Sequence, residues 1–344
     1  MLSVTSDVHR NAAHDATDAE WSEQGLAEAE SEEHEIALQY AQEVRREFDH
    51  LMYTKLPPGI PEVRFPGAEM SLDVDLQGKP PPRQSPYPLN NSQLEELKKQ
   101  IDSYTAQGFL RPTASPYGAP VLFAPKYRDD GYFDGWRFCC DYRALNKVTI
   151  VDAYTLPPIE TLINQLSGAK YFSKIDLTHF FHQIPIKKED IAKTAISTRY
   201  GNFEWTVMPF GLRNAPNVSS RFGNYILQPF LDKFVVLYID DILIYSKTLQ
   251  EHKDQLKQVF QTLQKWGIYV HPKKCHLFMK SVAYLGIGVT SKGIEIQDHR
   301  KAAILDWPIP QPFQKTKKGK RGNKDGKTSI RTFLGFVGFF RKWI

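Results

Sequence analysis

Cysteine is scarce in this chain of 344 residues, with only Cys139, Cys140 and Cys275. Three cysteines build no disulfide framework, and their spacing offers no zinc site. Adjacent Cys139 and Cys140 would point to opposite faces of a strand. A reducing, intracellular setting is the natural inference. Long apolar runs are also missing. No stretch approaches the roughly 20 residues of a membrane span, so no membrane partner is expected. The polar, acidic N-terminus lacks a secretory-signal pattern. Basic residues are sparse at the start, where residues 1–50 hold three Arg against thirteen Asp/Glu. The remainder carries 41 Lys/Arg against 26 Asp/Glu, an asymmetry hidden by the overall net charge of +5. A basic body beside an acidic segment suits a nucleic-acid partner, though ordinary surface charge gives the same count.

What is present begins with a sizeable apolar fraction, 41% hydrophobic and 12% aromatic. The length accommodates about two domains. Residues 1–54 read as a largely disordered leader, with helical character over 35–52. Leu56-Pro57-Pro58-Gly59 breaks that helix, and residues 78–88 are proline-rich and extended. Asn90-Asn91-Ser92 caps an amphipathic helix over 93–107, stopped by Gly108. Strands are predicted over 120–125, 136–142, 171–176 and 202–207, with helices over 156–166, 217–231 and 249–266. Residues 282–289 read as a strand pair. The stretch 315–331 holds eight Lys/Arg, three Gly and one acid, a flexible basic loop. An aromatic helix over 330–343 follows, and its apolar face needs a partner surface. The mixture predicts an α+β fold.

The most informative stretch is Tyr238-Ile239-Asp240-Asp241. Apolar, β-branched runs flank the aspartates on both sides, which predicts a hairpin tipped by two carboxylates. Like charges placed side by side need a cationic offset. A pair of divalent metals would provide it, as in nucleotidyl transfer. A solvated turn is the bland alternative for an isolated Asp pair.

Nine ordered blocks weigh against that alternative. They are Ser115-Pro116-Tyr117, Trp136 through Lys147, Phe172 through Leu177, His182-Gln183-Ile184, Met208 through Pro216, Tyr238 through Ser246, Lys274-Cys275, Leu285-Gly286 and Phe333-Leu334-Gly335. Together they resemble the reverse transcriptase of gypsy-type LTR retrotransposon Pol polyproteins, over roughly residues 56–344. The resemblance implies a right-hand polymerase fold with fingers, palm and a partial thumb. Its expected boundaries are the leader at 1–54, fingers at 55–150 and 187–215, palm at 151–186 and 216–291, and the start of the thumb at 292–344. It implies an RNA-directed DNA polymerase that extends a primer with dNTPs on RNA or DNA templates.

By the same resemblance, Asp176, Asp240 and Asp241 form the catalytic triad and hold two Mg²⁺, with Mn²⁺ as a substitute. Arg137 and Lys126 would grip the triphosphate, a task suited to a guanidinium fork. A surface lysine is the alternative for Lys126. Phe181 would exclude a ribose 2′-hydroxyl. Phe210 and Gly211 would line the nucleotide pocket, and Lys274, or its neighbour Lys273, would protonate the leaving pyrophosphate. Gln183 would support the template or the nucleotide pocket, and Tyr284-Leu285-Gly286 would grip the primer, a simple buried hairpin being the alternative.

The chain departs from the family pattern at His179 and at Phe180, a position where the family has glycine. It departs again at Asn217 through Ser220 and Phe222-Gly223, which weaken helix propensity, and in the basic stretch. Partners implied are the RNA template, the DNA primer–template, dNTPs and the protease, RNase H and integrase domains of a full element. None of those domains' signatures occurs here, so the expectation is a fragment. Its expected location is cytoplasmic, within virus-like particles. A decayed element protein that binds nucleic acid without catalysis is the second reading.

Overall fold

The computed structural model describes residues 32–127, 132–307 and 326–341. The leader's first 31 residues, the tip of the loop after Tyr127 and most of the basic stretch lie outside them. The architecture is mixed α/β, with three largely antiparallel sheets and helices packed on their faces.

The first described element, α1 (Glu32–Glu47), is acidic in its first turn and basic in its last, complementing the helix dipole. It is not a trailing leader. Val44, and Phe48 and Leu51 just beyond it, are buried in the main core. Helix α2 (Asn91–Ala106) starts with a capping box, in which Asn90 accepts from Gln93 N at 2.9 Å and Gln93 reaches back to Asn90 N. Gly108 ends this segment at φ +77°.

A five-stranded sheet follows, with β1 (Leu110–Pro112), β2 (Ala119–Tyr127), β3 (Phe133–Cys140), β5 (Ile196–Thr198) and β6 (Gly201–Trp205) in the order β1-β6-β5-β2-β3. The proline-rich segment before α2 is tied to it. Tyr87 donates to Asp141 Oδ2 at 2.6 Å, and Arg143 donates to both Asp141 oxygens. The short α3 (Arg143–Val148) and α4 (Ile159–Gln165) lead into the second sheet.

That sheet is built from β4 (Tyr171–Asp176), β7 (Val235–Tyr238), β8 (Asp241–Ser246) and β9 (His276–Met279), ordered β7-β8-β4-β9. Strand alternation gives it two different faces. Ile175, Ile242 and Ile244 join the main core with α5 (Ala215–Leu227) and α6 (Leu249–Lys265), whereas Phe172, Val236 and Leu243 join a second core. The second core also takes Leu162 and Ile163 of α4 and a three-stranded sheet. That sheet consists of β10 (Ser281–Tyr284), β11 (Ile287–Thr290) and β12 (Gly293–Glu295). Helices α7 (Asp298–Leu305) and α8 (Gly326–Phe340) complete the described chain. Trp307 stacks on Phe336 of α8 at 5.7 Å.

Of the serines and glycine expected to weaken α5, Ser219 and Gly223 are accommodated, whereas the buried Ser220 hydroxyl has no hydrogen-bond partner among the described residues. Ser219 is buried, with its hydroxyl donating to Pro216 O at 2.9 Å. Gly223 lets the helix approach β7 so closely that an added Cβ would lie 2.5 Å from Leu237 Cδ2. Between β4, β8, β9 and α6 lies a buried polar knot. Ser246 Oγ donates to Gln255 Oε1 at 2.5 Å, so it accepts from His252 Nδ1 at 2.6 Å. His252 Nε2 then accepts from Ser173 Oγ at 2.7 Å, and Ser173 Oγ accepts from Phe278 N at 3.0 Å. This last bond sits where the β4–β9 register shifts, and Phe278 is at φ +57°. The hydroxyl satisfies an amide that the irregular ladder leaves over.

Candidate active site

Strands β7 and β8 pair Tyr238 with Asp241, which leaves Ile239-Asp240 as a two-residue turn. Ile239 has φ +60°, a left-handed conformation that costs a β-branched residue roughly 1–2 kcal/mol. Strain of this kind persists where the surroundings fix it, and it gathers at functional sites. Strand β8 then runs antiparallel to β4 and sets Asp241 directly opposite Asp176. Opposed residues share a face, so both carboxylates and Lys174 lie on one side of the sheet. Asp240 stands exposed at the turn beside them.

The electrostatics follow from that register. Although Asp240 stands at an exposed turn, crowding of its carboxyl by the surrounding protein, with the charges of Asp241 and Asp176, raises it above the ordinary carboxylate range. Two ammonium groups offset the other carboxylates. Lys174 Nζ is 3.5 Å from Asp241 Oδ1, and Lys274 Nζ is 3.9 Å from Asp176 Oδ2. Charge-crowded, all-oxygen donors of this kind fit Mg²⁺. Among the described residues no group of three or more His, Cys, Asp or Glu side chains is placed to hold a metal ion by itself, so water and substrate oxygens would have to supply part of any such ion's shell.

Asp176 is gripped through its backbone. His271 N donates to Asp176 O at 2.8 Å. Cys275 Sγ accepts from Asp176 N at 3.4 Å. Gln183 is buried, and its amide bonds Thr178 O at 2.8 Å, Tyr269 O at 2.9 Å and Tyr269 N at 2.9 Å. It thereby braces the strand end. Sequence reasoning missed Lys174 and His271. The spacing of two within a strand that ends on Asp176 was the available signal for Lys174; nothing local signalled His271.

Phe181 is buried, and its ring centroid lies 4.8 Å from that of Phe210, which is half-exposed. Gly211 has φ +94°, and a Cβ there would sit 3.2 Å from Cys140 O. Asn146 fixes this loop by donating to Gly211 O at 2.8 Å and accepting from Arg213 N at 2.9 Å. Phe180 turns into the core against Phe222, with ring centroids 5.8 Å apart. Its bulk is absorbed by packing. His179, at φ +44°, stacks on His182.

Arg137 and Lys126 belong to the five-stranded sheet. Arg137 pairs with Ala124 and Lys126 with Gly135, which puts both side chains on one face of the β2–β3 ladder. Lys126 Nζ lies 2.6 Å from Asp134 Oδ2. On the other side of the carboxylates, Leu285 and Gly286 form a two-residue turn at φ +50° and +82°. Tyr284 is buried there and its hydroxyl donates to Asp241 O at 3.4 Å. The structure therefore gathers the three aspartates, Lys274 and Tyr284 around one sheet end and sets Arg137 and Lys126 on a separate sheet.

Residues 125–289 match the family model described as reverse transcriptase (RNA-dependent DNA polymerase). The retrovirus-related Pol polyprotein from transposon 297 of Drosophila melanogaster is 38% identical over 258 residues, 75% of this chain and 23% of that protein. The transposon opus Pol polyprotein of the same species is 36% identical over 75% of this chain and 24% of its own length. The transposon Tf2-3 polyprotein of Schizosaccharomyces pombe is 31% identical over 75% of this chain and 18% of its own. The chain thus spans about a quarter or less of the curated relatives it matches. Among solved structures, the foamy viral protease-reverse transcriptase in complex with RNA/DNA hybrid aligns with a TM-score of 0.69 at 23% identity, covering 94% of this chain and 40% of that one. The same viral protein in complex with dsDNA aligns at 0.70.

Proposed function

The chain belongs to the reverse transcriptase family, related to the Pol polyproteins of gypsy-type LTR retrotransposons, and on that premise we propose that it extends a primer 3′-hydroxyl with dNTPs on RNA or DNA templates. The observation that carries this reading is the register that sets Asp176 opposite Asp241, with Asp240 on the adjoining turn. In it, the five-stranded sheet and α2 form fingers. The carboxylate sheet with α4, α5 and α6 forms the palm. The segment after β12 begins a thumb.

Asp176, Asp240 and Asp241 are the residues that would hold two Mg²⁺, or Mn²⁺ in their place. When bound, such ions lower the pKa of the 3′-hydroxyl and offset charge on the triphosphate. The protein's own groups supply the rest. Arg137, with Lys126 on the same face, binds the triphosphate; Lys126 must first exchange Asp134 for a phosphate. Phe181, backed by Phe210, fills the space a 2′-hydroxyl would take. Gly211 lets backbone approach the base pair closely. Lys274 gives a proton to the leaving pyrophosphate. Leu285-Gly286 presents the primer end, and Tyr284 ties that turn to Asp241. Gln183 acts by bracing, since its amide is committed to backbone partners. RNA template, DNA primer–template and dNTPs are the proposed partners, with the other Pol domains alongside.

Primer extension on an RNA template with Mg²⁺ and dNTPs tests this. The parent chain is expected to extend the primer. Asp240→Asn is expected to lose synthesis by at least about 10³-fold while template–primer affinity stays within a factor of about two. Equal extension by both proteins, or none by the parent, would sink the proposal; retained binding without extension would favour a nucleic-acid-binding protein.

A further inference from the structure

Helix α1 joins the active-site loop through one residue. Arg45, half-buried near the helix's C-terminal end, donates Nη1 to Pro272 O at 2.6 Å and Nη2 to Cys275 O at 2.7 Å. These two carbonyls bracket Lys273 and Lys274. The same loop holds Asp176, through His271 N at 2.8 Å and Cys275 Sγ at 3.4 Å, and carries Lys274 to 3.9 Å from Asp176 Oδ2. A guanidinium is suited to this task. Its planar fork meets two acceptors at once, whereas an ammonium is a single point of attachment.

The rest of α1 fixes where that fork stands. Glu43 pairs with Lys253 at 2.6 Å and Glu47 with Lys257 at 2.7 Å, both on α6. Glu33 pairs with Lys280 at 3.0 Å and accepts from the Tyr171 hydroxyl at the start of β4. Tyr40 packs on Phe278 of β9 at 6.0 Å and lies under Lys253 Nζ at 3.8 Å. One helix thus touches α6, β4 and β9, and its Arg45 reaches the loop that in turn holds Asp176.

We propose that Arg45 is a positioning residue for nucleotide addition: it clamps the loop of residues 272–275 so that Lys274 stays aimed at the leaving-group side of Asp176. This rests on the polymerase reading given above. The acidic N-terminal helix is, on this view, part of the polymerase core.

The test uses the full chain and two readouts. The first is independent of activity. Cys275 is buried, and Arg45 holds its carbonyl. Arg45→Met keeps the apolar stem and removes the fork. It is expected to speed alkylation of Cys275 by iodoacetamide at least about tenfold, read by peptide mass spectrometry. Cys139 and Cys140 serve as internal references whose rates stay unchanged. The second readout is single-turnover incorporation. Arg45→Met is expected to lower the maximal rate about tenfold, leaving the apparent dNTP affinity and the template–primer Kd within about twofold. Arg45→Lys is expected to recover part of the rate. In a Lys274→Ala background Arg45→Met should cost nothing further, the signature of two residues acting through one group.

Unchanged Cys275 labelling overturns the clamp. Faster labelling with an unchanged rate, or additive losses with Lys274→Ala, overturns its role in nucleotide addition. If the parent extends no primer, the polymerase reading fails, and the labelling still decides whether the clamp exists.

Discussion

His252 and His182 are both buried, and desolvation pushes each imidazole down to about 3. Both are therefore neutral in the folded chain and take up protons on unfolding below about pH 6.5. A depressed histidine pKa contributes stability that is complete above the unfolded value and is lost as pH falls toward the folded one. The window here runs from about 6.5 down to about 3. Within it, stability should fall by up to about 1.4 kcal/mol per pH unit per histidine. Urea midpoints at pH 7.5, 6.0 and 5.0 measure this. His252→Asn should lower stability at pH 7.5 by roughly 1–3 kcal/mol through its lost bonds to Ser173 and Ser246, while showing a shallower acid slope. An unchanged slope would mean that His252 does not titrate with unfolding. Asp240 represents the opposite case, a carboxyl raised by desolvation and by the charges of Asp241 and Asp176.

Helix α5 and strand β7 approach each other through Gly223 and Leu237. In an exposed helix, Gly→Ala would stabilise by about 1 kcal/mol. Here the added methyl meets a buried leucine branch, so Gly223→Ala should destabilise by roughly 1–3 kcal/mol. Leu237→Val in the same chain should recover part of the loss, and thermal melts of the four proteins complete the cycle. Gly223 also shows which parts of the element plan were legible in the sequence. Strand β4 was readable because aromatic Tyr171 and Phe172 and β-branched Ile175 lie in a short run that ends on Asp176. The Asp-Asp hairpin was readable from the apolar, β-branched runs on both sides of it, α2 from its cap at Asn90 and α6 from its amphipathic period. Strands β1 and β5 are three residues long, too short for a period to register, and α3 and α7 run only six and eight residues. The glycine in α5 looked like a weak spot because its justification, Leu237, lies on another element. Arg45 was illegible for the same reason on a larger scale, since its acceptors are more than 200 positions away.

Across the whole molecule, charge is segregated. The acidic α1 spends Glu33, Glu43 and Glu47 on lysines of its own chain, so the excess of Lys/Arg elsewhere is only partly neutralised from within. Binding to an RNA/DNA hybrid should weaken steeply with salt, with a log–log slope of about −0.9 per phosphate engaged. From 50 to 200 mM salt, a loss of at least about tenfold is expected in a fluorescence-anisotropy titration. A flat response would mean that the basic surface does not track the backbone.

The long reach of Arg45 also has a consequence in time. It lies 230 positions before Cys275, and translation proceeds at roughly 5–20 residues per second. The helix that completes the active-site loop is therefore made some 10–50 seconds before the loop exists. Late in that interval two of the rings α1 and its C-terminal end pack on, Phe260 and Phe278, are still to be made. The earliest described element of this chain is therefore among the last that can be seated, because α6 and β9, on which it packs, are made after it.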